Sequence, residues 1–333
     1  MVLHCPLLIF HFVKKIDGMG VLFSRNTSSN GSSGYAAGKN VLITGASAGI
    51  GAELARKFAE QGANLALVAR NQTNLEAVAK ECLALGAIQA GVFPCDLTKD
   101  EDTQTAIQTA IESFSDGKGI DIVVLNAGRS MGCYFEEIRS MESINYMLKL
   151  NVNGVIHALM CALPAMPKSE ASRIVIVSSV AGLVGVPYRT VYCASKHALA
   201  GFANALRIEL KDTYGGSANG APRVQLINFP EVQGTKLNSG RMDMGAVRPP
   251  IEFKTGAGVV ATVEEACLDL MVEIEKGTDE WGQKSKGHIL VLLRLFFATL
   301  ADFLILNAVK KTHIRPDKIE PPDAAPNVSK KSQ

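Results

Sequence analysis

Tyr192 and Lys196 stand four residues apart in the run TVYCASKHAL, residues 190 to 199. On a helix that spacing puts both side chains on one face. A phenol titrates near about 10 in water, and a neighbouring ammonium favours its phenolate form. A tyrosine so placed can act as a general acid or base near neutral pH. The same spacing also arises by accident on surface helices, so the pair needs a setting before it carries chemistry.

A second group supplies part of that setting. TGASAGIG, Thr44 to Gly51, spaces Gly45, Gly49 and Gly51 as T-G-x-x-x-G-x-G. Glycine lets the chain turn sharply and lets a pyrophosphate approach backbone amides at a helix N-terminus. The loop follows an apolar run and precedes a helical pattern, the context that a dinucleotide loop requires. A tight strand-to-helix turn is the plainer reading. The next apolar run ends Val68-Ala69-Arg70, with no carboxylate to hold ribose hydroxyls. Arg70 there suits a 2′-phosphate, which it can grip bidentately, and this predicts NADP (NADPH) over NAD. A solvated strand-end arginine is the alternative.

The elements that would position these groups alternate along the chain. Apolar, β-rich runs occupy 39–44, 64–69, 91–96, 120–126, 173–179 and 223–229, with helical patterns between them. Ala52 to Gln61 reads as a helix with Leu54, Ala55, Phe58 and Ala59 on one face, stopped by Gly62. Thr98 and Glu101 have capping-box spacing for a later helix. Continuous apolar strands separated by helices predict an α/β fold, a doubly wound parallel sheet (Rossmann fold), with ligands at the carboxyl ends of the strands.

The chain of 333 residues reads as a single catalytic domain over 38–292. It is preceded by an apolar segment and flexible linker (1–37). An apolar helix (293–311) and a Pro-rich, charged tail (312–333) that reads as disordered follow it. A net charge of +2, with no basic stripe, gives no reason to expect a nucleic-acid partner. Seven scattered cysteines without a C-x-x-C pair argue for reduced thiols, and the six histidines lack metal-ligand spacing, so no metal is expected. The first thirteen residues are apolar but too short to span a bilayer; a shallow anchor and a packed strand or helix are both open. Between 288 and 311, Arg294 and Asp302 interrupt an apolar run. It divides best into a last strand (287–292) and a helix that lies in a membrane interface or covers a partner. Lys14 and Lys15 after the first apolar run, and the Asn71 sequon beside Arg70, favour a cytosolic face, with the endoplasmic reticulum as the expected membrane. A cytoplasmic location is the alternative.

With these residues in view, the chain resembles the short-chain dehydrogenase/reductase family over roughly 38–292. Asp96 in CDLT matches the family's adenine-contacting acid, and Asn126-Ala127-Gly128 its N-A-G turn. Asn151 in LNVNG and Ser179 in IVIVSSVAG match its catalytic asparagine and serine, and Tyr192 with Lys196 completes the set. The resemblance implies cofactor contacts from Ser47, Ile50, Leu97 and Val232 beside the glycines, Arg70, Tyr192 and Lys196. It implies hydride transfer between nicotinamide and a carbonyl or alcohol. In that scheme Tyr192 moves the proton, Lys196 lowers its pKa, Ser179 holds the substrate oxygen and Asn151 holds a proton-relaying water. It also implies a homodimer or tetramer through helices around 145–165 and 192–212.

The stretch YCASKHALAGFANALRIEL is most similar to a branch of membrane-associated hydroxysteroid dehydrogenases and the dehydrogenase/reductase member seven group. The 3-ketosphinganine reductases are a neighbouring branch. A lipophilic carbonyl or alcohol substrate follows, such as a steroid, retinoid or lipid ketone. The loop 236–258, with Met242, Met244, Val247, Ile251 and Phe253, would select it. One segment departs from the family pattern: Phe229-Pro230-Glu231 lacks the glycine of the usual P-G pair beside the nicotinamide. That departure is the reason to keep a non-catalytic NADP-binding scaffold or sensor as the competing class.

Overall fold

The computed structural model describes residues 34–114, 117, 119–216, 220–230, 232, 233, 235, 261–282 and 302. Strands β1 (Asn40–Thr44), β2 (Asn64–Ala69), β3 (Gln89–Pro94), β4 (Ile122–Leu125), β5 (Arg173–Ser179), β6 (Arg223–Phe229) and β7 (Glu280–Gly282) form one sheet. Its order is β3-β2-β1-β4-β5-β6-β7 and every pairing is parallel. The order reverses between β1 and β4, which makes their carboxyl ends the switch point where such sheets bind ligands.

Seven helices are central to the packing: α1 (Gly49–Glu60), α2 (Gln72–Ala84), α3 (Asp100–Ser113), α4 (Met141–Leu148), α5 (Gly154–Ala162), α6 (Thr190–Tyr214) and α7 (Val263–Lys276). One face of the sheet packs Val41, Ile43 and Val124 against Leu54 and Phe58 of α1, Leu75 of α2 and Leu270 of α7. The other packs Leu42, Val123 and Ile176 against Ile107 of α3, Leu159 of α5 and Leu199 of α6. β1, β4 and nearly all of β2 are buried, so their sequences are apolar on both alternations, as a sheet covered on both faces requires. Met141–Ala165 is long and apolar enough to cross a membrane by composition, yet Val155, Ala158 and Leu159 within it pack on the sheet as core.

The expected fold holds, with local corrections. α1 starts at Gly49 and ends at Glu60, because the glycine loop itself supplies the first turn. β3 covers 89–94, so Asp96 lies past the strand, and β4 is shorter than the apolar run 120–126 that signalled it. Lys99, not Thr98, is the N-cap of α3. Thr98 instead donates both its amide and its hydroxyl to Asp96 Oδ1, at 3.1 and 2.9 Å, an Asx-type turn that wins over the capping box. Tyr35 and Ala36, expected in the linker, pack against the core. β7 gave no readable signal, and the expected strand 287–292, almost all of the C-terminal helix and the substrate loop 236–258 lie outside the described residues.

Candidate active site

The parallel register brings Thr44 level with Val68 and Leu125, and Ser179 level with Phe229. The cleft above these strand ends has a volume of about 670 Å³. Gly45, Ser47, Gly49, Ile50, Arg70, Leu97, Asn126, Ala127, Gly128, Ser179, Tyr192, Lys196 and Val232 line it. Asn151, Gly51 and Asp96 are not among its lining residues.

The loop is built for close backbone approach. Gly45 has φ +69° and Gly49 φ +56°, which side chains other than hydrogen resist. A Cβ on Gly51 would sit 2.3 Å from Gly45 O and 2.5 Å from Asn126 Nδ2, so Gly51 serves to seat the first turn of α1 on the loop. Asn126 closes the opposite side: its Nδ2 donates to Thr44 O (3.1 Å) and Gly45 O (3.3 Å), while Thr44 Oγ1 accepts from the amides of Asn126 and Ala127. The N-cap of α1 is Ala48, with no side-chain cap and no acid in the first turn. By contrast α2, α4 and α7 are capped by Asn71, Ser140 and Thr262. The first amides of α1 therefore face the cleft available to an anion, with the helix dipole behind them. Arg70, exposed at the end of β2 and lining the cleft, donates to Tyr146 Oη at 2.6 Å. Tyr146 carried no sequence signal, being 76 residues away.

The group expected to transfer the proton is buried. Tyr192 (3% exposed) packs with Met131, Met147, Ala181 and Val191 at the end of the β5 wall. Burial pushes its pKa up, opposed by a hydrogen bond with Ser179 and by the positive charge of Arg189. Lys196 Nζ, also buried, donates to Val177 O at 3.0 Å, lies 5.8 Å from the Tyr192 ring centre, and is pushed down to about 8 by desolvation. The influences that oppose the burial of Tyr192 are thus the Ser179 hydrogen bond and the Arg189 charge, while the Lys196 ammonium is held by a backbone carbonyl.

Asn151 sits in a π-helical turn (Lys149–Asn153) between α4 and α5, a wide turn common at functional sites. Its Oδ1 accepts from Arg129 N (2.8 Å), and its Nδ2 donates to Arg129 O (2.9 Å) and Ser195 Oγ (3.1 Å). Both amide hydrogens are committed, so the side chain meets a water only as an acceptor. Ser195 Oγ in turn donates to Tyr192 O at 2.7 Å. Asn151 thus ties the loop after β4 to the turn that carries Tyr192. Ser195 was overlooked in the sequence, although its place between Tyr192 and Lys196 was a usable signal. Phe229, Pro230 and Val232 line the cleft, while Glu231 lies outside the described residues.

A parallel sheet with an uncapped, glycine-lined helix start at its switch point, facing a buried Ser-Tyr-Lys group, has the form of a dinucleotide-binding α/β domain. Residues 39–215 match the short chain dehydrogenase family, and the chain belongs to that family of NAD(P)-binding oxidoreductases. It is 40% identical over 173 residues to dehydrogenase/reductase SDR family member 7 of Mus musculus, covering 51% of this chain and 50% of that protein. It is 35% identical over 271 residues to an 11-beta-hydroxysteroid dehydrogenase of Pinus massoniana, covering 80% and 72%. The match spans about half the length of the first of these relatives. A short chain dehydrogenase/reductase of Burkholderia phymatum, solved in complex with NAD, shares the fold with a TM-score of 0.67 at 23% identity, over 80% of this chain and 96% of that one.

Proposed function

We propose that the protein is an NADP(H)-dependent oxidoreductase that interconverts a carbonyl and a secondary alcohol on a lipophilic substrate. The observation that carries this reading is Ser179, Tyr192 and Lys196 on one wall of a cleft whose other wall is the glycine loop and the open start of α1. The residues suit the cofactor: loop amides and the α1 dipole for the pyrophosphate, Arg70 for a 2′-phosphate, and the apolar side chains of Ile50, Ala127 and Val232 for the rings. Arg70 and the absence of an acid at the end of β2 support NADP over NAD. A nicotinamide dinucleotide bound there supplies hydride to the substrate carbon, or accepts it in the reverse direction.

The chain's own work is to hold and move the proton. In reduction, Tyr192 Oη gives its proton to the carbonyl oxygen as negative charge develops there. Its burial keeps it protonated until then, since a raised phenol pKa favours the neutral form. Ser179 Oγ, hydrogen-bonded to Tyr192, can donate to the same oxygen and stabilise that charge. As Tyr192 becomes phenolate, a protonated Lys196 gains a partner, and with its pKa near 8 it can return a proton from solvent near neutral pH. Asn151 and Ser195 keep the two halves of the site in register.

The apolar stretches at both ends of the chain favour association with a membrane, with the endoplasmic reticulum and its cytosolic face as our reading. Exposed Met160 on α5 and Ile208 on α6 favour self-association through those helices as a dimer or tetramer. The test is NADPH consumption by the purified, detergent-solubilised protein with a ketosteroid, retinal, 3-ketosphinganine and a small diketone. Tyr192→Phe should remove at least about a hundredfold of turnover and keep NADPH affinity within about threefold. NADPH binding without turnover of any carbonyl would sink the enzyme reading and leave a dinucleotide sensor or scaffold.

A further inference from the structure

Among the described residues lining the cleft there is no carboxylate, so Arg70 has no acid there to pair with. Its hydrogen-bonding partner among the described residues is the neutral hydroxyl of Tyr146, which accepts from Nη1 at 2.6 Å. Arg70 follows the end of β2 and Tyr146 belongs to α4, so the contact is local to neither element.

The two side chains differ in how firmly they are held. Arg70 is exposed, and its long side chain has many rotamers to lose. Tyr146 is half-buried, and its ring packs against two hydrophobic clusters. One contains the cleft-lining Leu97 and Leu150; the other contains Tyr192. A tyrosine has only two side-chain torsions, so a packed ring fixes its hydroxyl at low entropic cost. The hydrogen bond thus ties a long exposed cation to a packed helix.

The bond engages only Nη1. A guanidinium presents five N–H donors in a fixed plane, so the edge formed by Nε and Nη2 keeps a fork that can grip a phosphate bidentately. Holding Nη1 fixes the plane of that fork. A hydroxyl does so without cancelling the positive charge, as a carboxylate would.

We propose that Tyr146 is a positioning residue for cofactor choice: its hydroxyl pre-orients the Arg70 guanidinium for the 2′-phosphate and so contributes to the preference for NADP over NAD. This rests on the reading of Arg70 as the 2′-phosphate ligand and deepens it. An arginine already held loses less freedom when phosphate binds, and that gain appears only with a cofactor that carries the phosphate.

The test is calorimetric titration of NADP+ and NAD+ into the full-length, detergent-solubilised protein, as the parent, Tyr146→Phe, Arg70→Gln and the double variant. Tyr146→Phe removes one oxygen and keeps the ring in its packing. It should weaken NADP+ about fivefold and leave NAD+ within about twofold. Arg70→Gln should lower the NADP+ to NAD+ affinity ratio about tenfold or more. In the Arg70→Gln background, Tyr146→Phe should move the ratio by less than about twofold, because the hydroxyl then has no guanidinium to hold. A ratio that Tyr146→Phe leaves unchanged, or a loss shared equally by both cofactors, overturns the positioning role; Arg70→Gln still lowering the ratio would keep the NADP reading. A ratio that rises in Tyr146→Phe overturns it too, since Tyr146 then withholds Arg70 from the phosphate. An equal fall in both backgrounds overturns it as well, since Tyr146 then acts without Arg70. A ratio unmoved by Arg70→Gln removes Arg70 from the phosphate site and the proposal with it.

Discussion

Lys196→Met should make the protein without cofactor more stable near neutral pH while abolishing its turnover. Lys196 is 5% exposed, and burial lowers its pKa from 10.5 to about 8. At about 1.4 kcal/mol per pH unit, that drop opposes folding by roughly 3 kcal/mol wherever the lysine is charged in both states. The pH window follows from the sign. Below about 8 the folded and unfolded chains both bind the proton, and the full burial penalty is present. Between about 8 and 10.5 the unfolded chain still holds a proton that the folded one has released, so stability rises with pH. By pH 10 roughly 2.5 kcal/mol of the penalty is gone. Methionine removes the penalty at every pH, but it also strips Val177 O of its 3.0 Å donor, a loss of about 1 kcal/mol. The net expectation is a variant about 2 kcal/mol more stable at pH 7 and no more stable than the parent at pH 10. Denaturant titrations of both proteins at the two pH values measure it. A variant less stable at pH 7, or a stability difference that does not shrink on going to pH 10, would refute the argument that Lys196 is held at the expense of the fold.

Gly51→Ala drives a methyl into the Gly45 carbonyl, a backbone group that cannot swing aside, and should lower stability by about 1–3 kcal/mol and weaken NADPH binding, read by melting with and without cofactor. Ser195→Ala leaves an Asn151 amide hydrogen without its acceptor and removes the hydroxyl that bridges it to Tyr192 O; kcat should fall about fivefold or more with NADPH affinity kept, in steady-state kinetics and fluorescence titration. Arg70→Gln should reduce the preference for NADPH over NADH by about tenfold or more, measured as the ratio of kcat/KM for the two cofactors; an unchanged ratio would remove Arg70 from the phosphate site.

Much of this protein was legible before any coordinates. The strands β2, β5 and β6 appear at the residues their apolar runs mark, because a parallel strand buried on both faces must be apolar throughout. The glycines at 45 and 49 announce positive φ, and four-residue spacing puts Tyr192 and Lys196 on one turn of α6. Those are local consequences of chain chemistry, and sequence order alone carries them. What stayed hidden depends on groups far apart in the chain. Tyr146 meets Arg70 across 76 residues, and Asn151 meets Ser195 across 44. The three-residue β7 exists only because β6 offers it an edge. Thr98 has the spacing of a cap, yet Asp96 takes its donors. The electrostatics were decided the same way. A lysine beside a tyrosine in sequence promises a lowered phenol pKa, but desolvation depends on everything packed around both groups. Here that burial raises Tyr192, depresses Lys196, and leaves Ser179 and Arg189 as the groups that pull the other way.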